Sequence, residues 1–186
     1  NPTSHVLIAV LFCWLLRSTA AQRRPCANWG EIGTRAELEN FGQRGCTSLV
    51  GGFDITKTAD VLNLDLISGL TDIVDGYIGI DSNAELTNIL GLRNLQGVVL
   101  TGFVYIQHNP KLVSLEGLEG IVEIGKGFWG ISILIAGNDA LVSINGLRSV
   151  RGVLPGALLV YGNAALVSVD GLEGVTGVTG VAELGS

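Results

Sequence analysis

Hydrophobic and polar positions alternate along this chain in two rhythms, and the pair of rhythms repeats. Residues 104–118 (VYIQHNPKLVSLEGL) place apolar residues at every second position, Val104 and Ile106, and then at every third, Leu112, Leu115 and Leu118. The same layout returns at 78–92 (IGIDSNAELTNILGL), 133–147 (ILIAGNDALVSINGL) and 158–172 (LLVYGNAALVSVDGL). The asparagine aligned in all four copies, at Asn83, Asn109, Asn138 and Asn163, sets the period at 26, 29 and 25 residues. A looser copy lies at 61–70 (VLNLDLISGL), and 177–184 begins a further one. Self-similarity at such a period is the mark of stacked repeats.

Each rhythm predicts an element. Period two predicts strands whose inward residues are Val104 and Ile106, Ile133 and Ile135, and Leu158 and Val160. Tyr105 and Gln107, Leu134 and Ala136, and Leu159 and Tyr161 then face outward. Period three gives the rows Leu112, Leu115, Leu118, Ile121, Ile124 and Leu141, Ile144, Leu147, Val150, Val153. That spacing does not fit the 3.6 residues of an α-helical turn and predicts short extended segments, cornered around a common interior. Glycines at the repeated Gly-Leu (Gly69, Gly91, Gly117, Gly146, Gly171) stand at those corners. The asparagine column falls where each strand ends, so Asn83, Asn109, Asn138 and Asn163 are expected to form a structural ladder bonding neighbouring turns. Glycosylation is no rival, since no asparagine here begins an N-x-Ser/Thr sequon with a permitted middle residue.

The N-terminal part breaks the pattern. Residues 6–16 (VLIAVLFCWLL) form an apolar run of 11, too short to span a bilayer. Small residues 18–21 and polar 22–25 follow, the layout of a secretory signal peptide over residues 1–21 cut after Ala20 or Ala21. The alternative is a buried strand or helix of the domain. Export would leave Cys26 and Cys46 as an even pair in an oxidising compartment, and their disulfide would close a loop of about 20 residues worth on the order of 3 kcal/mol. Two separate buried thiols are the alternative. Between them Thr34 and Glu37 form a capping box opening a short helix, with Leu38 and Phe41 on its buried side and Gly42 placed to end it. Residues 22–46 thus read as a cap covering the first open end of the stack, and residues 47–186 as repeats of about 25 residues, with the first strand near 53–55. The chain has no methionine and its last residues start another copy, so the expectation is a fragment truncated at both ends.

Composition narrows the function. With 186 residues one domain is expected, and 27 glycines beside 47% hydrophobic residues suit short strands and tight turns better than helices. The net charge is −6 and no lysine or arginine run occurs, which argues against nucleic acid and anionic membrane surfaces as partners. The mature part is expected not to span a membrane. No catalytic, metal-binding or cofactor-binding residue is expected. His108 precedes Asn109-Pro110 and reads as an exposed turn residue, Gly125-Lys126-Gly127 lacks the spacing of a phosphate loop, and Asp54, Asp65, Asp72, Asp75 and Asp81 read as solvated corner residues.

A cysteine, a short helix, a second cysteine and repeats of the form I-x-I-x-x-N-x-x-L-x-x-L-x-G-L-x-x-I resemble the receptor L domain, the ligand-binding module of insulin-receptor and EGF-receptor ectodomains. The resemblance runs from Cys26 to the end, and fungal GPI-anchored cell-surface proteins carry a similar pattern. It implies a mainly β fold, a right-handed parallel β-helix akin to a leucine-rich-repeat solenoid with a short N-terminal capping helix. It also implies a protein secreted or held at the extracellular face of the plasma membrane. The C-terminal cysteine-bearing cap and the cysteine-rich modules of those receptors are absent from these residues, as are a kinase and a membrane span.

Recognition of an extracellular protein or peptide, or of adjoining domains of the same protein, is the expected function. Strand stacking at roughly 4.8 Å would gather Tyr105, Leu134, Leu159 and Tyr161 into one outward patch, serving as an interaction face or covered by a neighbouring part of the protein. The longer 29-residue repeat adds Phe128 and Trp129 on a protruding loop, a second contact candidate or a local plug on the core. The rival functions are a structural cell-surface or cell-wall protein and, more remotely, a carbohydrate-active β-helix enzyme.

Overall fold

The computed structural model describes residues 23–27 and 30–185. The expected signal peptide, with Cys13 and the Ala20/Ala21 junction, lies outside the described residues. The described residues are mainly β, with parallel sheets and one α-helix among them. The strands are β1 (Pro25–Ala27), β2 (Glu31–Ile32), β3 (Ser48–Val50), β4 (Phe53–Thr56) and β5 (Asp72–Val74). There follow β6 (Ile78–Asp81), β7 (Val98–Leu100), β8 (Val104–Gln107), β9 (Ile121–Ile124) and β10 (Ile131–Ala136). The last are β11 (Gly152–Leu154), β12 (Ala157–Tyr161), β13 (Val175–Val178) and β14 (Ala182–Leu184).

The period-two segments all join one seven-stranded parallel sheet, in the order β14-β12-β10-β8-β6-β4-β2. Each strand pairs with its equivalent one repeat away, so Ile78 lies beside Val104, Val104 beside Ile133 and Ile133 beside Leu158. Shorter parallel sheets, β1-β3-β5, β7-β9 and β11-β13, join other parts of successive repeats. The inward residues of the large sheet and the period-three rows meet in one core that runs from Ile32 to Leu172. The looser copy belongs to it too, with Val61, Leu64, Ile67 and Leu70 buried. Single 3-10 turns at Asp65–Ile67, Leu90–Leu92, Asn145–Leu147 and Asp170–Leu172 make the corners. At Gly91, Gly146 and Gly171 a Cβ would strike a carbonyl of the preceding repeat, so close backbone approach accounts for those corner glycines.

Three expectations are corrected. Val153 is 59% exposed and Leu154, at 1%, takes the inward place. Gly152 has φ +85°, and this left-handed residue at the start of β11 turns the chain so that the side-chain phase moves on by one residue. The extra residue in the β11–β13 register, Thr176, belongs to β13. The first strand is not β4, because the cap itself contributes strands: β1 pairs with β3 and β2 with β4. Helix α1 (Arg35–Gln43) opens on the expected box, with the Glu37 amide donating to Thr34 Oγ1 and the Thr34 amide to Glu37 Oε2. Gly42 does not end it. It lies within the helix where a Cβ would strike the Leu66 carbonyl, and the chain turns out at Gly45, at φ +62°. Leu38 and Phe41 are buried as expected, and a Cys26–Cys46 disulfide with Cα atoms 5.8 Å apart ties β1 to the chain entering β3.

The four asparagines are fully buried and bonded in series. Asn83 Nδ2 donates to Asn109 Oδ1 at 2.9 Å, Asn109 Nδ2 to Asn138 Oδ1 at 3.0 Å and Asn138 Nδ2 to Asn163 Oδ1 at 3.1 Å. Thr58 heads the column, its hydroxyl donating to Asn83 Oδ1 at 2.9 Å. Each amide group also donates to a strand carbonyl of the preceding repeat, at Ile55, Ile80, Ile106 and Ile135. Buried amides are tolerated because their polar atoms are bonded, and among the described residues no buried side-chain nitrogen or oxygen lacks a partner.

Candidate functional site

Parallel pairing in register lines up the outward residues of the large sheet as well as the inward ones. Asp54 on β4 lies beside Gly79 on β6, Gly79 beside Tyr105 on β8, Tyr105 beside Leu134 on β10, and Leu134 beside Leu159 on β12. One residue before β6 and β8 come Tyr77 and Phe103, and their rings stack at 5.4 Å with an interplanar angle of 17°. Adjacent strands about 4.8 Å apart dictate that spacing. Phe103 stacks in turn on Tyr105, at 5.2 Å and 18°.

Asp54 anchors this group. The Tyr77 hydroxyl donates to Asp54 Oδ2 at 2.7 Å, and the Tyr105 hydroxyl donates to Asp54 Oδ1 across the intervening strand. Gly79 makes that reach feasible, since a Cβ there would fall on the Asp54 carboxylate and on the Tyr105 ring. Burial, and then the hydrogen bond to Asp54, hold the Tyr105 phenol well above the ordinary tyrosine range, because both oppose a phenolate.

The extra residues of the longest repeat build the opposing wall. The Gly127 amide donates to the Ile131 carbonyl at 2.9 Å, and the Gly130 amide to the Gly127 carbonyl at 3.0 Å. The second bond closes a tight turn with Phe128 and Trp129 at its corners and Gly130 at φ +72°. Trp129 meets Phe103 edge-on, at 5.9 Å and 82°, yet stays 76% exposed, and Phe128 is wholly exposed at 105%.

Between the walls lies a cavity of about 500 Å³, lined by the four rings of Tyr77, Phe103, Tyr105 and Trp129, by Phe128, and by Asp54, Asp75 and Lys126. Among the described residues neither Asp75 nor Lys126 forms an ion pair. The cavity therefore offers aromatic surface, two carboxylates and one ammonium to whatever enters. Its volume falls in the range of small-ligand and side-chain pockets.

The structure brings Tyr105, Phe128 and Trp129 together here. Leu134 and Leu159 continue the row beyond Tyr105 as half-buried residues outside the cavity. Tyr161 belongs to another row, paired with Ala136, which is buried although its phase is outward. Tyr77 and Phe103 are not singled out by the sequence, while Asp54 and Asp75 read there as solvated corner residues and Lys126 as a glycine-flanked lysine of the protruding loop. A signal existed for the first two, which are 26 residues apart like Asn83 and Asn109 and hold equivalent places in their repeats. His108 is exposed, with φ +52° and its Nδ1 3.3 Å from Asp81 Oδ1. No group of three or more His, Cys, Asp or Glu among the described residues could hold a metal ion.

Comparison with protein families, with curated proteins and with solved structures finds no match.

Proposed function

We propose that this chain is a non-enzymatic extracellular recognition domain, its repeats wound as a right-handed parallel β-helix of the leucine-rich-repeat kind and resembling the receptor L domain. Pairing of equivalent strands from successive repeats supports the architecture. The Cys26–Cys46 bridge fits an oxidising compartment, and no helix among the described residues is long and apolar enough to cross a membrane. Both are compatible with a secreted or surface-held protein.

One observation carries the recognition reading. Phe128 projects fully into solvent from a hydrogen-bonded turn at the rim of an aromatic cavity, where it adds nothing to the interior. Large apolar side chains held in such places mark contact surfaces. The partner is a protein or peptide segment laid against the outward face of the large sheet at its Tyr77–Trp129 end. The test is titration of the purified chain against an array of extracellular ectodomains and peptides. Saturable binding to at least one member is expected. It should weaken by about tenfold or more in Phe128→Ala/Trp129→Ala, as loss of central aromatic anchors does, with the melting temperature unchanged. Binding indifferent to that change sinks the site. Failure to bind anything favours the second reading, a structural surface protein, which the buried asparagine column and the disulfide support.

A further inference from the structure

We infer that the aromatic cavity takes a guanidinium group, the arginine side chain of the protein or peptide partner, an inference that rests on the recognition reading above. The rings supply negatively charged faces, and Trp129 stands perpendicular to Phe103 with its own surface open to solvent. Cations over such faces gain most at tryptophan. Tyr77 and Tyr105 donate their hydroxyls to Asp54, so each Asp54 oxygen carries one phenol and keeps acceptor capacity for a second donor. Asp75 lines the same space, and its carboxylate forms no ion pair among the described residues. In a chain of net charge −6, two carboxylates walled by rings make a cation the complementary guest. Arginine suits the place better than lysine, because a planar, weakly hydrated guanidinium stacks on rings while its edge donates to carboxylates.

Lys126 lines the cavity too, and it decides between guests. Its ammonium repels a guanidinium, whereas an acidic or sugar guest would use it as a donor. Asp75 adopts φ +49°, a conformation asparagine accepts readily, so Asp75→Asn removes charge without straining the backbone. The probes are N-acetyl-arginine N-methylamide and its neutral isostere, N-acetyl-citrulline N-methylamide, titrated against the isotope-labelled whole chain by NMR. Arginine should shift the Trp129 indole resonance saturably, with citrulline bound at least about fivefold more weakly, a difference of about 1 kcal/mol. Asp75→Asn should weaken arginine binding and Lys126→Ala should strengthen it. Equal binding of the two probes, weakening by Lys126→Ala, or no saturable shift with arginine overturns the assignment. If array binding still depends on Phe128 and Trp129 after such a result, recognition stands and only the guest is wrong.

Discussion

Tyr105 and Asp54 are joined by a hydrogen bond that crosses a whole strand, over the bare backbone of Gly79. Their partnership spans 51 residues of sequence and depends on a side chain that is not there. Gly79→Ala should therefore cost about 1–3 kcal/mol by overpacking, although alanine in a strand is otherwise the better residue. In a Tyr105→Ala background the ring is gone and Asp54 can turn aside, so the same change should become neutral or stabilising. A double-mutant cycle by urea denaturation measures the coupling. A Gly79→Ala variant more stable than wild type would show that the tyrosine does not need the gap.

The asparagine column makes a second prediction. Asn109 Oδ1 accepts from both the side-chain and the backbone nitrogen of Asn83, at 2.9 and 3.1 Å. Asn109→Ala strands both donors in the interior, at roughly 1–3 kcal/mol each. Asn145, exposed on a corner, should change stability by less than about 0.5 kcal/mol on the same substitution. Comparable denaturation midpoints for the two variants would reduce the column to decoration.

What could be read in the sequence follows from what repeats. Burial recurs once per repeat, so Ile106, Ile135 and Asn138 announce their places through spacing alone. The phase of β11 was misread because Gly152, at positive φ, inserts a rotation that no apolar pattern encodes. The cavity was hidden for a related reason. It uses outward positions, where no burial pattern operates, and it joins Asp54, Tyr77, Tyr105 and Trp129 from different repeats. Asp54 read as a solvated corner because its two phenol partners become neighbours only once the strands pair in register.

The corrected phase can be tested directly. Leu154→Asp should unfold the chain, since it buries an uncompensated charge, while Val153→Asp should be nearly silent at a position 59% exposed. Thermal melts in the reverse order would restore the original spacing of three.

The cap should respond to loss of its covalent tie. A Cys26→Ala/Cys46→Ala variant should lose about 3 kcal/mol, the loop-closure value for the 20-residue separation. The comparison is chemical denaturation of the variant against the oxidised parent. A loss below about 1 kcal/mol would mean that α1 and the parallel β1–β3 pairing hold the cap by themselves.

The last prediction concerns alkali. Tyr105 has its phenol raised above the ordinary value of about 10 by burial first and by its bond to Asp54 second. In the unfolded chain the same phenol ionises near pH 10, as a solvated tyrosine does. Above that pH the folded state holds a proton that the unfolded state has released. The unfolded state then binds fewer protons, and stability must fall as pH rises. The contribution is fully present below about pH 10 and disappears as pH climbs through the folded-state value. Tyr105→Phe keeps the stack on Phe103 and removes the ionisable group, so its stability should decline less steeply in alkali than that of the parent. Stability measured by urea denaturation at stepped pH on both proteins makes the comparison. Phenolate absorbance should agree, with one of the three tyrosines ionising only beyond the range of a solvated phenol or together with unfolding. Parallel pH profiles for parent and variant would mean that the Tyr105 hydroxyl is solvated and the bridge to Asp54 is not maintained in solution.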